Sequence, residues 1–180
     1  MRAIGTAWVL ATALVLATGA AAAAGGAAEL HLDATALNEL LDAGLPEPFV
    51  VTVPGVGTVT LTVGPVRSTR FDGEAIESTV GLVFEETDLR LDVNLRFVPG
   101  IERLTGIPRL VVDAAQPEGL PFELDLAAAI PPIELPRFLE WELPMPRGRT
   151  MPIRCYVQGI VVDGDRLRVD LGFARTLDED

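Results

Sequence analysis

The sequence predicts a mainly β (α+β) protein, in which a curled antiparallel sheet wraps around one short N-terminal helix. Two observations carry this prediction. Long stretches alternate between apolar and polar residues, which is typical of strands with one buried face. Beyond the N-terminal region, only the stretch around 33–44 has the leucine spacing of an amphipathic helix. A β-sandwich is the alternative arrangement of the same strands.

The segment 76–98 carries the clearest strand signal. From Asp88 to Val98 polar residues alternate with apolar ones, and the residues 85–87 form a polar break before this run. The apolar positions of the two strands are Val80, Leu82 and Phe84, then Leu89, Leu91, Val93, Leu95 and Phe97. Such long one-sided strands need a cover over their apolar face. What covers them is the functional question.

The helix is predicted from its two ends and its face. Asp33 is placed to cap the first turn by accepting hydrogen bonds from free amides. Leu37, Leu40 and Leu41 fall on one stripe. Gly44 is expected to end the helix in the left-handed conformation. A helix of about ten residues is marginal alone, so its leucines are expected to dock on the sheet.

Turn residues divide the remaining β-rich chain. Asp72-Gly73 and Asp163-Gly164 each stand between two alternating runs and predict hairpins. Interruptions are predicted at Pro54-Gly55, Gly64-Pro65 and Pro99-Gly100. Further strands are predicted at 66–71, 110–112, 122–126, 153–162 and 166–173.

The segment 131–152 contains six prolines. Because proline cannot donate to a strand ladder, this segment is expected to leave the sheet or to run at its edge. Residues 136–143 fit either a short helix or an edge strand.

The first 24 residues are predicted to be a secretory signal peptide. Met1-Arg2 gives a positive start, an apolar run follows over 3–17, and alanines then offer a small-residue cleavage site between 22 and 28. The run is too short for a stable transmembrane anchor. Residues 25–180 then form one domain, and the product is expected in the periplasm or secreted.

Composition excludes several function classes. The chain carries 26 acidic residues against 14 basic ones, for a net charge of −12, which argues against nucleic acid as a partner. The single cysteine, Cys155, precludes an internal disulfide framework and alternates with buried-type neighbours, so a buried thiol is expected. The single histidine, His31, leaves no zinc motif and suits a surface or capping position. No cofactor or metal is predicted.

No catalytic constellation emerges, and no enzymatic activity is predicted. Ser68 and Ser78 are the only serines, and neither lies in a G-x-S-x-G motif. Neighbouring carboxylates such as Glu85-Glu86 are explained more simply as solvated strand and turn residues. Arg147, Arg149 and Arg154 cluster in an otherwise acidic chain. They are candidates for a headgroup contact, or else solvated arginines that pair with nearby acids.

Two stretches resemble small bacterial exported proteins of the tubular lipid-binding (TULIP-like) superfamily. The first is the leucine helix Ala-Leu-Asn-Glu-Leu-Leu-Asp-Ala-Gly-Leu-Pro at 36–46. The second is Val-Gln-Gly-Ile-Val-Val-Asp-Gly-Asp-Arg-Leu-Arg-Val-Asp-Leu-Gly at 157–172. The closest likeness is to DUF1439-type lipoproteins. Those proteins carry a lipidated cysteine after the signal, and this chain has none there.

The resemblance implies a curled sheet whose apolar groove holds acyl chains. It therefore implies an exported, non-enzymatic binding protein for a lipid or other apolar ligand. The alternative is an envelope interaction module with a protein partner and no ligand cavity. The predicted apolar lining comprises Leu37, Leu41, Val80, Leu82, Phe84, Leu91, Val93, Leu95 and Trp141.

Overall fold

The computed structural model describes residues 27–45, 48–53, 57–117 and 126–173. Within these ranges the chain is mostly antiparallel β with one helix, as the sequence predicted. The elements are β1 (Ala27–Leu32), α1 (Ala34–Gly44), β2 (Phe49–Val53), β3 (Gly57–Asp72), β4 (Ala75–Phe84), β5 (Leu89–Ile101), β6 (Pro108–Pro117), β7 (Ile133–Glu134), β8 (Phe138–Met145), β9 (Arg149–Asp163) and β10 (Arg166–Phe173). A tight turn, Pro146–Gly148, joins β8 to β9.

The strands form two sheets. Strands β2 to β7 make a six-stranded antiparallel sheet in chain order, and this sheet curls into a half-barrel. A second sheet has four strands in the order β1-β10-β9-β8. Strand β9 packs across β5 and β6, so the smaller sheet faces the larger one. Their inner faces contribute to one continuous apolar core.

Helix α1 occupies the inside of the curl. It packs along β3 and also reaches β7, although three strands lie between these two in the sheet. One helix can touch both only if the sheet bends around it. Leu37, Leu40 and Leu41 supply the contact and are at most 2% exposed. The predicted docking of the leucine stripe on the sheet is therefore confirmed.

The two ends of α1 differ in how well the sequence predicted them. The Asp33 side chain accepts a hydrogen bond from the Ala36 N–H at 2.9 Å, which confirms the predicted cap. The predicted left-handed Gly44 is wrong, since Gly44 is helical and Leu45 follows in an extended conformation. Glycine is needed at position 44 for another reason. A Cβ there would lie 2.5 Å from Cγ2 of Ile133 in β7.

Gly64-Pro65 does not interrupt a strand, contrary to prediction. Strand β3 continues through it, and its pairing with β4 shifts register on both sides of Val66. The segment is an irregularity of the bulge kind, which bends a strand without ending it. The N–H of Val66 donates to the Asp42 carboxylate of α1 at 2.6 Å. The helix thus satisfies a backbone group at the irregular part of the ladder.

Pro99-Gly100 also lies within a strand instead of ending it. Strand β5 runs on to Ile101, with Pro99 opposite Leu110 of β6. Its pairing with β4 ends at Ile76↔Phe97. Beyond that rung β5 has a neighbour on one side only, and a residue without an N–H is tolerated at such an edge.

The two predicted hairpin turns are present. Gly73 and Gly164 adopt positive φ angles of 60° and 65° in them. Of the segment 136–143, residues 138–143 form an edge strand, because β8 ends the four-stranded sheet in the described chain, whereas 136 and 137 precede it. The predicted strand at 122–126 lies almost wholly outside the described residues. Strand β1 was not predicted, and it pairs with β10 from Ala27↔Gly172 to Leu32↔Leu167.

The close approach of α1 and β7 generates a stability prediction. Gly44→Ala should lower the free energy of unfolding by about 1–2 kcal/mol, because overpacking against Ile133 exceeds the gain in helix propensity. Urea unfolding at neutral pH measures the change. Gly100→Ala is the matched control, since a Cβ at Gly100 meets no atom within 4 Å. Equal effects of the two substitutions would contradict the packing argument.

Candidate functional site

The predicted lining residues of α1, β4 and β5 lie on the inner faces of the helix and the half-barrel. Their side chains pack into the core, and those from α1, β4 and β5 contribute to one cluster. Leu91 is partly exposed. The others whose side chains are described are at most 6% exposed: Leu37, Leu41, Val80, Leu82, Phe84, Val93 and Leu95. Trp141 lies in β8, and its side chain falls outside the described part. The described lining residues of α1, β4 and β5 therefore belong to a packed core in this conformation.

A small apolar void lies elsewhere, on the inner side of the four-stranded sheet. Its volume is about 20 Å³. Its lining is entirely apolar and comprises Leu30, Leu32, Leu40, Pro108, Leu135, Pro136, Leu139, Val157 and Val169. None of these was among the predicted lining residues. Ligand pockets usually measure about 300–1,000 Å³, so the void is a closed seam and not a formed pocket.

The seam is closed by few directional bonds. The two sheets share no strand pairing in the described chain, and their inner faces meet through side chains. The segment from Leu135 to Arg137 crosses between them. The Leu135 N–H donates to the Pro108 carbonyl at 2.8 Å, and the Val157 N–H donates to the Arg137 carbonyl at 3.0 Å. Separating the sheets at this seam would therefore break mainly apolar contacts.

The three predicted headgroup arginines have different surroundings. Arg154 donates through Nε to its cross-strand neighbour Glu140 at 2.6 Å, and its guanidinium lies 5.6 Å from the centre of the Phe138 ring. Arg147 and Arg149 lie at the β8–β9 turn and are exposed. Neither contacts an acid within the described residues. A surface hollow of about 510 Å³, open to solvent, is lined by Pro146, Arg147, Arg149, Thr150 and Met151.

The single cysteine and the single histidine do not form a site together. Cys155 is 0% exposed, which confirms the predicted burial, and burial raises the pKa of its thiol. His31 lies half-buried in β1 with Nε2 3.4 Å from a Glu29 carboxylate oxygen. No three metal-binding side chains come together within the described ranges. No helix in those ranges is long and apolar enough to cross a membrane.

Glu85 and Glu86, the predicted solvated pair, bind the neighbouring strand. Glu86 accepts a hydrogen bond from the Thr60 N–H at 2.8 Å, and Glu85 accepts one from the Thr62 hydroxyl at 2.5 Å. The backbone hydrogen bond from Thr60 lowers the pKa of Glu86. A general acid at neutral pH needs the opposite shift. The pair therefore fastens the β4–β5 turn to β3.

The chain matches no protein-family model, no curated protein and no solved structure.

The lowered pKa of Glu86 predicts a pH-dependent contribution to stability. The charged carboxylate is favoured in the folded state, so its contribution is present above the ordinary glutamate pKa and lost as pH falls through the lowered value. Glu86→Gln should reduce the melting temperature at neutral pH by on the order of 1–2 °C, with no difference in acid. Thermal unfolding across pH measures this. Glu74→Gln, in the β3–β4 turn, is the control and should show no such pattern.

Proposed function

We propose that the protein is an exported, non-enzymatic binding protein for a lipid or other apolar ligand in the bacterial envelope. The observation that carries the proposal is the apolar seam defined by the nine residues around the void. Its walls come from both sheets, the helix and the crossing segment, and its lining contains no charged side chain. An apolar chain entering there would meet only apolar surface.

Ligand entry requires the seam to widen. A buried methylene group contributes about 0.8 kcal/mol, so an acyl chain with roughly ten buried methylenes gains about 8 kcal/mol before costs. That gain would offset the loss of side-chain contacts between the sheets. The further cost of broken backbone hydrogen bonds is small, because few of them span the seam among the described residues. The partly buried Leu139 lies on edge strand β8, which has a strand neighbour on one side only. We therefore place the ligand entrance along β8.

A second candidate is an envelope interaction module that uses its surface and holds no ligand. The observation that favours it is the packing of the predicted lining, in which Leu37, Leu41 and Leu95 are at most 1% exposed. A core closed in this way holds no ligand without rearrangement. The two candidates differ in one measurable respect, which is uptake of an apolar molecule in solution.

Enlarging the seam tests the ligand-binding proposal. Leu139→Ala removes side-chain volume from the wall of the void and should raise uptake of a fluorescent fatty acid at least severalfold, because engineered apolar cavities bind apolar guests. Fluorescence titration of the mature protein measures affinity, and native mass spectrometry identifies any copurified lipid.

Leu110→Ala is the matched control for this experiment. Leu110 is 0% exposed and is not one of the residues that line the void, so its truncation costs about 2–5 kcal/mol of stability and leaves the lining side chains unchanged. Equal uptake by both variants would indicate that binding results from a general loosening of the fold. No uptake by wild type or Leu139→Ala would favour the interaction module.

Export predicts where the mature chain begins. Residues 1–24 are proposed to be removed, and β1 needs Ala27 for its first rung with Gly172. Cleavage should therefore fall before Ala27, in the earlier part of the range 22–28. The intact mass of protein recovered from the periplasm or medium measures the site. A retained N-terminus or a start beyond Ala27 would contradict the prediction.

A further inference from the structure

We infer that the end of the β8–β9 hairpin is a docking element for the surface of an anionic phospholipid membrane. Among the described residues, the hairpin extends beyond the other strands of its sheet. Within the described chain, β9 pairs with β10 only from Cys155↔Phe173 onward, whereas six further pairs join β8 to β9, from Glu140↔Arg154 to Met145↔Arg149. These residues, 140–154, are called the arm, and 146–152 are its tip.

The tip is exposed and carries only positive charge. All seven residues from 146 to 152 are exposed. The tip contains Arg147 and Arg149, and the sequence from 143 to 162 contains no acid. Arginines elsewhere mostly face carboxylates, as Arg67 faces Asp92 and Arg70 faces Glu77. The two tip arginines are therefore available to phosphate groups, which suit the guanidinium fork.

The backbone of the tip holds an arginine in an unfavourable conformation. Arg147 has φ 69° and ψ 27°, and Gly148 follows with φ 70°. Glycine or asparagine adopts such left-handed angles at lower cost. A positively charged side chain at this point indicates a role beyond closing the turn.

Apolar residues accompany the arginines. Pro146 and Pro152 bound the tip, and the Met151 side chain is 44% exposed on β9. Positive charge beside exposed apolar groups suits the boundary between headgroups and acyl chains, where apolar burial and electrostatic attraction add. A soluble acidic partner would use the arginines and leave Met151 without a contact. The combination therefore favours a membrane surface.

Because of the overall charge of the protein, we expect the arm to be the part that approaches the membrane. A net charge of −12 repels an anionic surface. Six rungs give the arm a reach of roughly 20 Å at the usual rise per strand residue. This exceeds the Debye length of about 8 Å at physiological salt, so salt screens most of the effect of the acidic body at the tip. The arm itself carries one exposed acid without an ion pair among the described contacts, Glu142, which lies opposite Pro152. Docking through the arm would bring β8, where we place the ligand entrance, close to the membrane.

Vesicle binding tests this inference with the mature chain. Wild type should cosediment with phosphatidylcholine vesicles that contain about a third phosphatidylglycerol, and binding should fall as salt rises. The double variant Arg147→Gln/Arg149→Gln should bind about 25-fold more weakly, at about fivefold per arginine. Pure phosphatidylcholine vesicles should bind neither protein. Unchanged binding of the double variant, or equal binding to both vesicle types, would overturn the inference.

Matched controls distinguish docking through the tip from the effects of net charge and of apolar exposure elsewhere on the surface. Arg90→Gln/Arg166→Gln changes the net charge equally at exposed positions, and should keep wild-type binding. Met151→Ser should weaken binding, whereas Leu104→Ser should not, although Leu104 is 94% exposed. Inorganic phosphate at constant ionic strength should not compete; competition would indicate a site for free anions and overturn the inference.

The experiment is independent of ligand binding. Fatty-acid uptake in solution should be unchanged in Arg147→Gln/Arg149→Gln, because the tip does not line the seam. Loss of vesicle binding with intact uptake supports docking. A wild type that takes up fatty acid and ignores anionic vesicles refutes docking and leaves the ligand-binding proposal standing.

Discussion

The close contact between the end of α1 and β7 determines how the other elements are arranged. Three strands separate β7 from β3 in the sheet, and one helix touches both. The sheet must therefore curl, and the curl creates an inner face that one helix cannot fill. The four-stranded sheet supplies the remaining cover. The absence of a side chain on Gly44 lets Ile133 approach and close this arrangement.

The inner and outer faces of the half-barrel have different roles. Among the described residues Ser78 is the one buried polar side chain, and its hydroxyl is 2.8 Å from that of Thr69. The outer face carries ion pairs such as Arg96 with Asp72 and Glu77. Exposed pairs contribute little stability, because water and salt screen them. Apolar burial therefore stabilises the fold, while charge keeps the outer face in water.

The local sequence pattern predicted the fold class and many of the helices, strands and turns. It did not predict how the strands divide between the two sheets. The hairpins at Gly73 and Gly164 and the cap at Asp33 depend on neighbouring residues, so the sequence indicated them directly. Gly44 and Gly64-Pro65 were misinterpreted because their roles depend on Ile133 and Asp42, which are distant in the chain. The seam was missed for the same reason. Leu30 and Val169 meet only after β1 pairs with β10, and alternation alone does not reveal which face meets which.

The seam and the arm share strand β8, which links the proposed ligand binding to the proposed docking. Strand β8 contributes Leu139 to the void and pairs with β9 out to the arginine turn. A displacement of β8 would move both, because cross-strand hydrogen bonds make the hairpin one unit. If the seam opens by movement of β8 away from the crossing segment, an anionic surface that holds the tip would favour the open conformation only by as much as it binds that form more tightly than the closed one.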